Sequence, residues 1–162
     1  MRRALLLAAM AAVILPFAAH AQGKPDFSGT WTMDAAKSDP APQGRGGGGG
    51  GGGAATLTIK QTAAELAITS EGRQGPQTMT YKLDGSPSTN QQMGRGGATE
   101  VKSMAKWDGA SLVIETTRDI QGMSITTKEV RKLDNGGKEM QVESTTTTHQ
   151  GEQKRKVVYT KS

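Results

Sequence analysis

The chain has 162 residues, with 20 Lys and Arg against 15 Asp and Glu and no cysteine, which excludes disulfides, thiol nucleophiles and thiolate metal sites. The charges are interspersed rather than gathered in blocks, so they give an ordinary solvated surface and no electrostatic footprint for nucleic acid. Beyond the first 21 residues the aromatic side chains are Phe27, Trp31, Tyr81, Trp107 and Tyr159, so the core must be economical.

Met1-Arg2-Arg3 is a short basic start, Ala4 to Ala18 is apolar, and Ala19-His20-Ala21 places small residues at the two positions a signal peptidase reads. This is the layout of a cleaved secretory signal over residues 1–21. The apolar run is short for a membrane span of ~20 residues. The expectation is an exported protein, periplasmic or extracellular, with no membrane span after cleavage. Residues 22–162 then form one domain, within the usual ~100–200 residues. Losing Arg2 and Arg3 lowers the net charge from +5 to +3.

In chain order, Phe27, Gly29, Trp31 and Met33 share one face and Ser28, Thr30 and Thr32 the other, the period of a half-buried strand. A turn fits Asp34 to Ser38, and Asp39-Pro40-Ala41-Pro42 halts regular structure. Eight consecutive glycines, Gly46 to Gly53, predict a flexible Pro/Gly-rich insertion over 39–55. The run lacks the Lys-Ser/Thr and strand-to-helix context of a phosphate-binding loop. Leu57 and Ile59 mark a second strand, Leu66 and Ile68 a third, and Met79, Tyr81 and Leu83 a fourth. From Asp84 to about Gly97 the residues are polar, and a long loop is expected. Val101, Ser103, Ala105 and Trp107 form the next strand, and Asp108-Gly109 is a tight-turn signal. Leu112, Ile114 and Thr116 follow, then Met123, Ile125 and Thr127 in a strand reaching about Leu133. Val130 breaks the alternation there and points to a β-bulge over Lys128 to Val130. Asp134-Asn135-Gly136-Gly137 turns the chain into Met140, Val142, Ser144 and Thr146, and a last strand carries Val157 and Tyr159.

These segments are joined by short turns, and none of useful length has a helical apolar period. The fold class is therefore all-β: an antiparallel up-and-down meander of about 8–10 strands. Closure into a barrel removes its two exposed edges. Phe27-Ser28-Gly29-Thr30-Trp31 resembles the Gly-x-Trp opening of lipocalins and fatty-acid-binding proteins, the calycin barrels, and in particular small bacterial exported lipocalin-like proteins that begin Asp-Phe-Ser-Gly-Thr-Trp. The later Tyr81-Lys82-Leu83-Asp84-Gly85, Trp107-Asp108-Gly109 and Val158-Tyr159-Thr160-Lys161 are similar in order and spacing. The resemblance implies a barrel closed at one end by Trp31, with a basic residue of the last strand over its ring, for which Arg155 is the candidate. Fatty-acid-binding proteins grip a carboxylate with an Arg-x-Tyr near their end. Here Val157-Val158-Tyr159 stands in that place, and the helical lid gives way to the Pro/Gly stretch.

Little in the sequence carries chemistry. His149 lies alone in a polar turn, without companions for a metal site or a catalytic triad. Glu115, Glu129 and Glu143 are read as outward strand positions, and Ser144 to Thr148 as a wet hydroxyl face. No catalytic residue, metal or cofactor is expected, and no enzyme. The candidate lumen lining is Tyr81, Trp107, Ile114, Ile125, Val142 and Tyr159. Two readings stay open: a non-enzymatic lipocalin-like barrel that binds a small hydrophobic molecule, or a cell-envelope interaction or scaffold protein whose side chains fill the barrel. An outer-membrane barrel would need an apolar outer band ~25 Å tall, which the outward Lys and Glu do not supply.

Overall fold

A computed structural model describes residues 23–40, 54–72, 75–94, 97–120 and 122–162. The leader expected over residues 1–21 and the glycine run lie outside the described residues. Period-two alternation gives ten strands: β1 (Gly29–Met33), β2 (Thr56–Gln61), β3 (Glu65–Gly72), β4 (Gly75–Lys82), β5 (Pro87–Gly94), β6 (Gly97–Asp108), β7 (Ser111–Ile120), β8 (Met123–Asp134), β9 (Glu139–Thr148) and β10 (Gly151–Lys161). They form one antiparallel sheet in the order β4-β3-β2-β1-β10-β9-β8-β7-β6-β5. The short β1 joins the two halves, with Trp31 opposite Leu57 of β2 on one side and Lys161 of β10 on the other. The sheet curls until β4 meets β5, giving a nearly closed barrel.

The β4–β5 seam is closed by side chains. The Asn90 amide accepts from Thr80 N at 2.9 Å and donates to Thr80 O at 3.0 Å, taking the part of a peptide group in a ladder. Ser88 Oγ accepts from Lys82 N at 2.9 Å, and Gln77 Nε2 donates to Met93 O at 2.9 Å. This explains why β5 replaces the long loop expected between Asp84 and Gly97. Ser88, Asn90 and Gln92 share a face, but they hydrogen-bond instead of filling the core, so the apolar alternation that marks a strand is missing.

The expected bulge in β8 is absent. Its pairing runs without interruption from Leu112–Arg131 to Ile120–Met123 on one side and from Thr126–Thr147 to Asp134–Glu139 on the other. Val130 stays on the outer face, opposite Val113 of β7. At the β8–β9 turn, Asn135 and Gly136 adopt positive φ of 51° and 65°, the backbone that the Asn-Gly pair supplies at little steric cost.

One end of the barrel is plugged by apolar side chains. Trp31 is fully buried, and its Nε1 donates to Phe27 O at 2.9 Å. Phe27 stacks on Trp107 at 6.1 Å between ring centroids. Gln61 ties the lead-in down, accepting from Phe27 N at 3.0 Å and donating to Pro25 O at 2.9 Å. The cation over the Trp31 ring is Lys161, with Nζ 5.3 Å from the centroid, an interaction that stabilises by about 0.5–2 kcal/mol. Arg155, the residue expected there, instead donates from Nη2 to Asp39 O at 3.3 Å. Register decides the difference, because Lys161 lies directly opposite Trp31 and Arg155 is six positions back along β10. Gly29 makes room for this contact. It has φ +136°, and a Cβ there would lie 2.6 Å from Lys161 Cε.

Beyond β1 the chain straps the edge of β10. Asp34 N donates to Val158 O at 2.8 Å and Asp39 N to Lys156 O at 2.9 Å, while Ser38 Oγ accepts from Val158 N at 2.9 Å. Among the described residues no helix is long and apolar enough to cross a membrane. The seam makes a direct prediction. Asn90→Ala leaves the Thr80 N–H and C=O without their partners, and urea denaturation should show a loss of about 1–3 kcal/mol; an unchanged midpoint would mean that Asn90 does not hold the seam.

Candidate functional site in the barrel lumen

The β-ladder sorts the interior into rungs. Leu112, Arg131, Val142 and Val157 lie side by side across β7, β8, β9 and β10. The next rung is Ile114, Glu129, Ser144 and Arg155, and the next Thr116, Thr127, Thr146 and Gln153. The inward face thus passes from apolar beside the Trp31 plug to hydroxyl-rich toward the opposite end. Ser103 and Thr116 hydroxyls pair at 3.0 Å, Thr127 and Thr146 at 3.3 Å, and Arg118 Nη1 donates to Gln92 Oε1 at 3.3 Å.

At the boundary sit two charges. Strict alternation along β8 buries Ile125, Thr127, Glu129 and Arg131, with Glu129 2% and Arg131 6% exposed. Glu129 is therefore an inward residue, not the outward one expected, whereas Glu115 and Glu143 are exposed. Arg131 Nη2 donates to Glu129 Oε2 at 2.5 Å, a buried ion pair between residues two apart on one strand. Burial, the largest single effect, favours a neutral guanidine, but the Glu129 charge, the hydrogen bond to Glu129 and the nearby Tyr81 and Tyr159 together outweigh it and hold the Arg131 pKa above its ordinary value. Burial, with Glu129 adding to it, also pushes the Tyr81 phenol up.

The pair is not satisfied by itself. Glu129 Oε1, Arg131 Nε and Arg131 Nη1 are buried and have no hydrogen-bond partner among the described residues. Gln92 Nε2 is in the same condition. Buried polar atoms without partners are rare in native structures, because each costs about 1–3 kcal/mol, and more where the group is charged. Four such atoms on three inward-facing side chains gather in the barrel interior.

Of the lining residues expected from sequence, Tyr81, Ile114, Ile125, Val142 and Tyr159 are buried. Trp107 is half-buried at the plugged end. There it borders an open cleft of ≈ 480 Å³ with Lys24, Asp26, Gln61, Thr62, Ala63 and Leu83. The Lys24 ammonium stands 5.5 Å from its ring. His149 is exposed in the β9–β10 turn. Among the described residues no three His, Asp or Glu side chains gather as a metal site would require.

No protein-family model matches the sequence, and no curated protein sequence matches it. Solved structures do match. Zebrafish ileal bile acid-binding protein complexed with cholic acid aligns with a TM-score of 0.50 at 13% identity, over 84% of this chain and 98% of that one. A mutant of the fluorescent protein UnaG aligns with a TM-score of 0.51 at 19% identity, over 84% and 96%. The fold is that of the calycin-type barrels. At these identities the likeness is one of architecture. The charged pair in this barrel is therefore argued from its own residues.

Two predictions follow from the pair and its neighbours. Arg131→Met strands the Glu129 carboxylate and should cost about 3–5 kcal/mol. The double variant Glu129→Gln/Arg131→Met should recover most of that loss in urea denaturation; equal losses in the single and double variants would contradict the pairing. Tyr159→Phe leaves Tyr81 as the one tyrosine. Because the folded state holds the Tyr81 pKa above the ordinary ~10, its contribution to stability is complete below pH ~10 and declines as pH rises beyond it. In an alkaline titration, tyrosinate absorbance should appear only together with loss of β-sheet circular dichroism, and ionisation within a folded barrel would refute the burial.

Proposed function

We propose that the protein is a non-enzymatic carrier, an exported calycin-type barrel that holds one small amphipathic molecule in its lumen. Its apolar body lies against Ile114, Ile125 and Val142, and its polar group meets Glu129 and Arg131. The observation that carries this reading is the set of three buried polar atoms on those two residues that the described residues leave without partners. They adjoin apolar wall positions, with Ile114 opposite Glu129 and Val142 opposite Arg131. The barrel architecture shared with the bile acid-binding protein adds support, and the leader over residues 1–21 supports export.

Catalysis is not part of the reading. The buried carboxylate is tied to an arginine, while Glu115 and Glu143 face outward, so among the described residues these strands bring no second carboxylate of different environment beside Glu129 to share acid–base work. A filled barrel acting as a cell-envelope interaction protein is the second reading. What favours it is the dense apolar cluster around Phe27, Trp31, Leu66, Leu83 and Tyr159 at the plugged end.

Fluorescence titration with Nile red and native mass spectrometry of the purified chain separate the two. The carrier should take up the dye at one site, or arrive with a small molecule bound, and Ile114→Trp, which fills the lumen, should abolish uptake. No dye uptake and no co-purified molecule would leave the scaffold reading in its place.

A further inference from the structure

We infer that the molecule held at Glu129 and Arg131 meets them with an uncharged hydrogen-bonding group that both donates and accepts, such as an amide, a lactam or an alcohol, and not with a free carboxylate. The inference rests on the carrier reading and gives its ligand a chemical class. The argument is one of remaining valence and charge. Arg131 already faces its counter-charge in Glu129 at 2.5 Å, so the pair is neutral as a unit. What it leaves open is one acceptor, Glu129 Oε1, and two donors, Arg131 Nε and Nη1.

A primary amide answers both kinds, its carbonyl accepting from arginine and its N–H donating to the carboxylate oxygen. A carboxylate answers only the donors. It also brings a second negative charge toward Glu129 in a buried site, where like charges repel strongly. An ammonium answers only the acceptor and sets a positive charge beside Arg131. A site built to hydrogen-bond a particular group rejects analogues that leave its own buried atoms unpaired.

The other polar groups on the inward face are uncharged or have hydrogen bonds away from the pair. Tyr81 is held in its neutral form by burial. Arg118 Nη1 is engaged by Gln92, on the rung that pairs Arg118 with Ile125, three rungs from Arg131. Arg155 shares the rung of Glu129 two strands away, and its Nη2 reaches outward to Asp39 O in the strap.

Displacement of Nile red by decanamide, decanoate and decylammonium, which share one chain length, tests the idea on the full chain near neutral pH. Decanamide should displace the dye at a concentration at least about tenfold below either charged probe. Glu129→Gln leaves Arg131 uncompensated and should reverse the order, with decanoate becoming the tighter ligand. A merely structural role for Glu129 would weaken all three probes alike, and that result overturns the inference. Should Glu129→Gln fail to fold, the wild-type order alone decides, and decanoate binding as tightly as decanamide overturns it. Dye uptake that no probe displaces also overturns the inference but leaves the carrier reading standing. Absence of dye uptake removes the carrier reading and the inference together.

Discussion

The barrel depends on five residues of β1 bonding to two strands at once. Without Gly29–Met33 the other nine strands would be two separate sheets, one of β2, β3 and β4 and one of β5 to β10. Trp31 is placed by that double pairing, between Leu57 and Lys161 in register, and its burial draws Phe27, Trp107 and Tyr159 into the plug. The Gly29 conformation belongs to the same device, since it lets the Lys161 stem cross the backbone to reach the indole ring. Closure on the far side is of another kind, with side chains of β5 standing in for a backbone ladder.

A barrel plugged in this way has an inside that differs along its length. Near Trp31 the wall is apolar and filled. Away from it the inward positions become Ser103, Thr116, Thr127 and Ser144, which pair with one another or with backbone and so rest without a ligand. Glu129 and Arg131 stand where these two regions meet, and their bonding is incomplete. A buried ion pair of this kind is weak support for stability, because desolvation offsets most of the attraction. Its position fits recognition better than folding, since an apolar pair of similar volume would hold the wall together at least as well.

Much of the architecture was legible from alternation alone. The strands around Trp31, Met79, Ile114, Val142 and Tyr159 carry apolar residues every second position because their inward faces fill the core. β5 was not legible, because Ser88 and Asn90 spend their side chains on the seam and Gln92 on Arg118. The site was hidden for a related reason. Val130 looks like a core residue and invites a bulge, yet it shares a small apolar patch with Val113 on the outer face. Keeping strict parity from Ile125 through Thr127 would have turned Glu129 and Arg131 inward. The cation over Trp31 could not be chosen from composition, since Arg155 and Lys161 are both basic and only the register of the short β1 selects between them.

The central claim is that Arg131 holds a buried, protonated and incompletely bonded guanidinium in the barrel interior beside Glu129. A ¹H–¹⁵N spectrum of the arginine side chains, assigned with Arg131→Lys, tests it most directly. The Arg131 Nε–H signal should be sharp and slow to exchange with water, unlike those of surface arginines, and should move when decanamide is added. A signal broadened by rapid exchange and indifferent to every added probe would contradict the account.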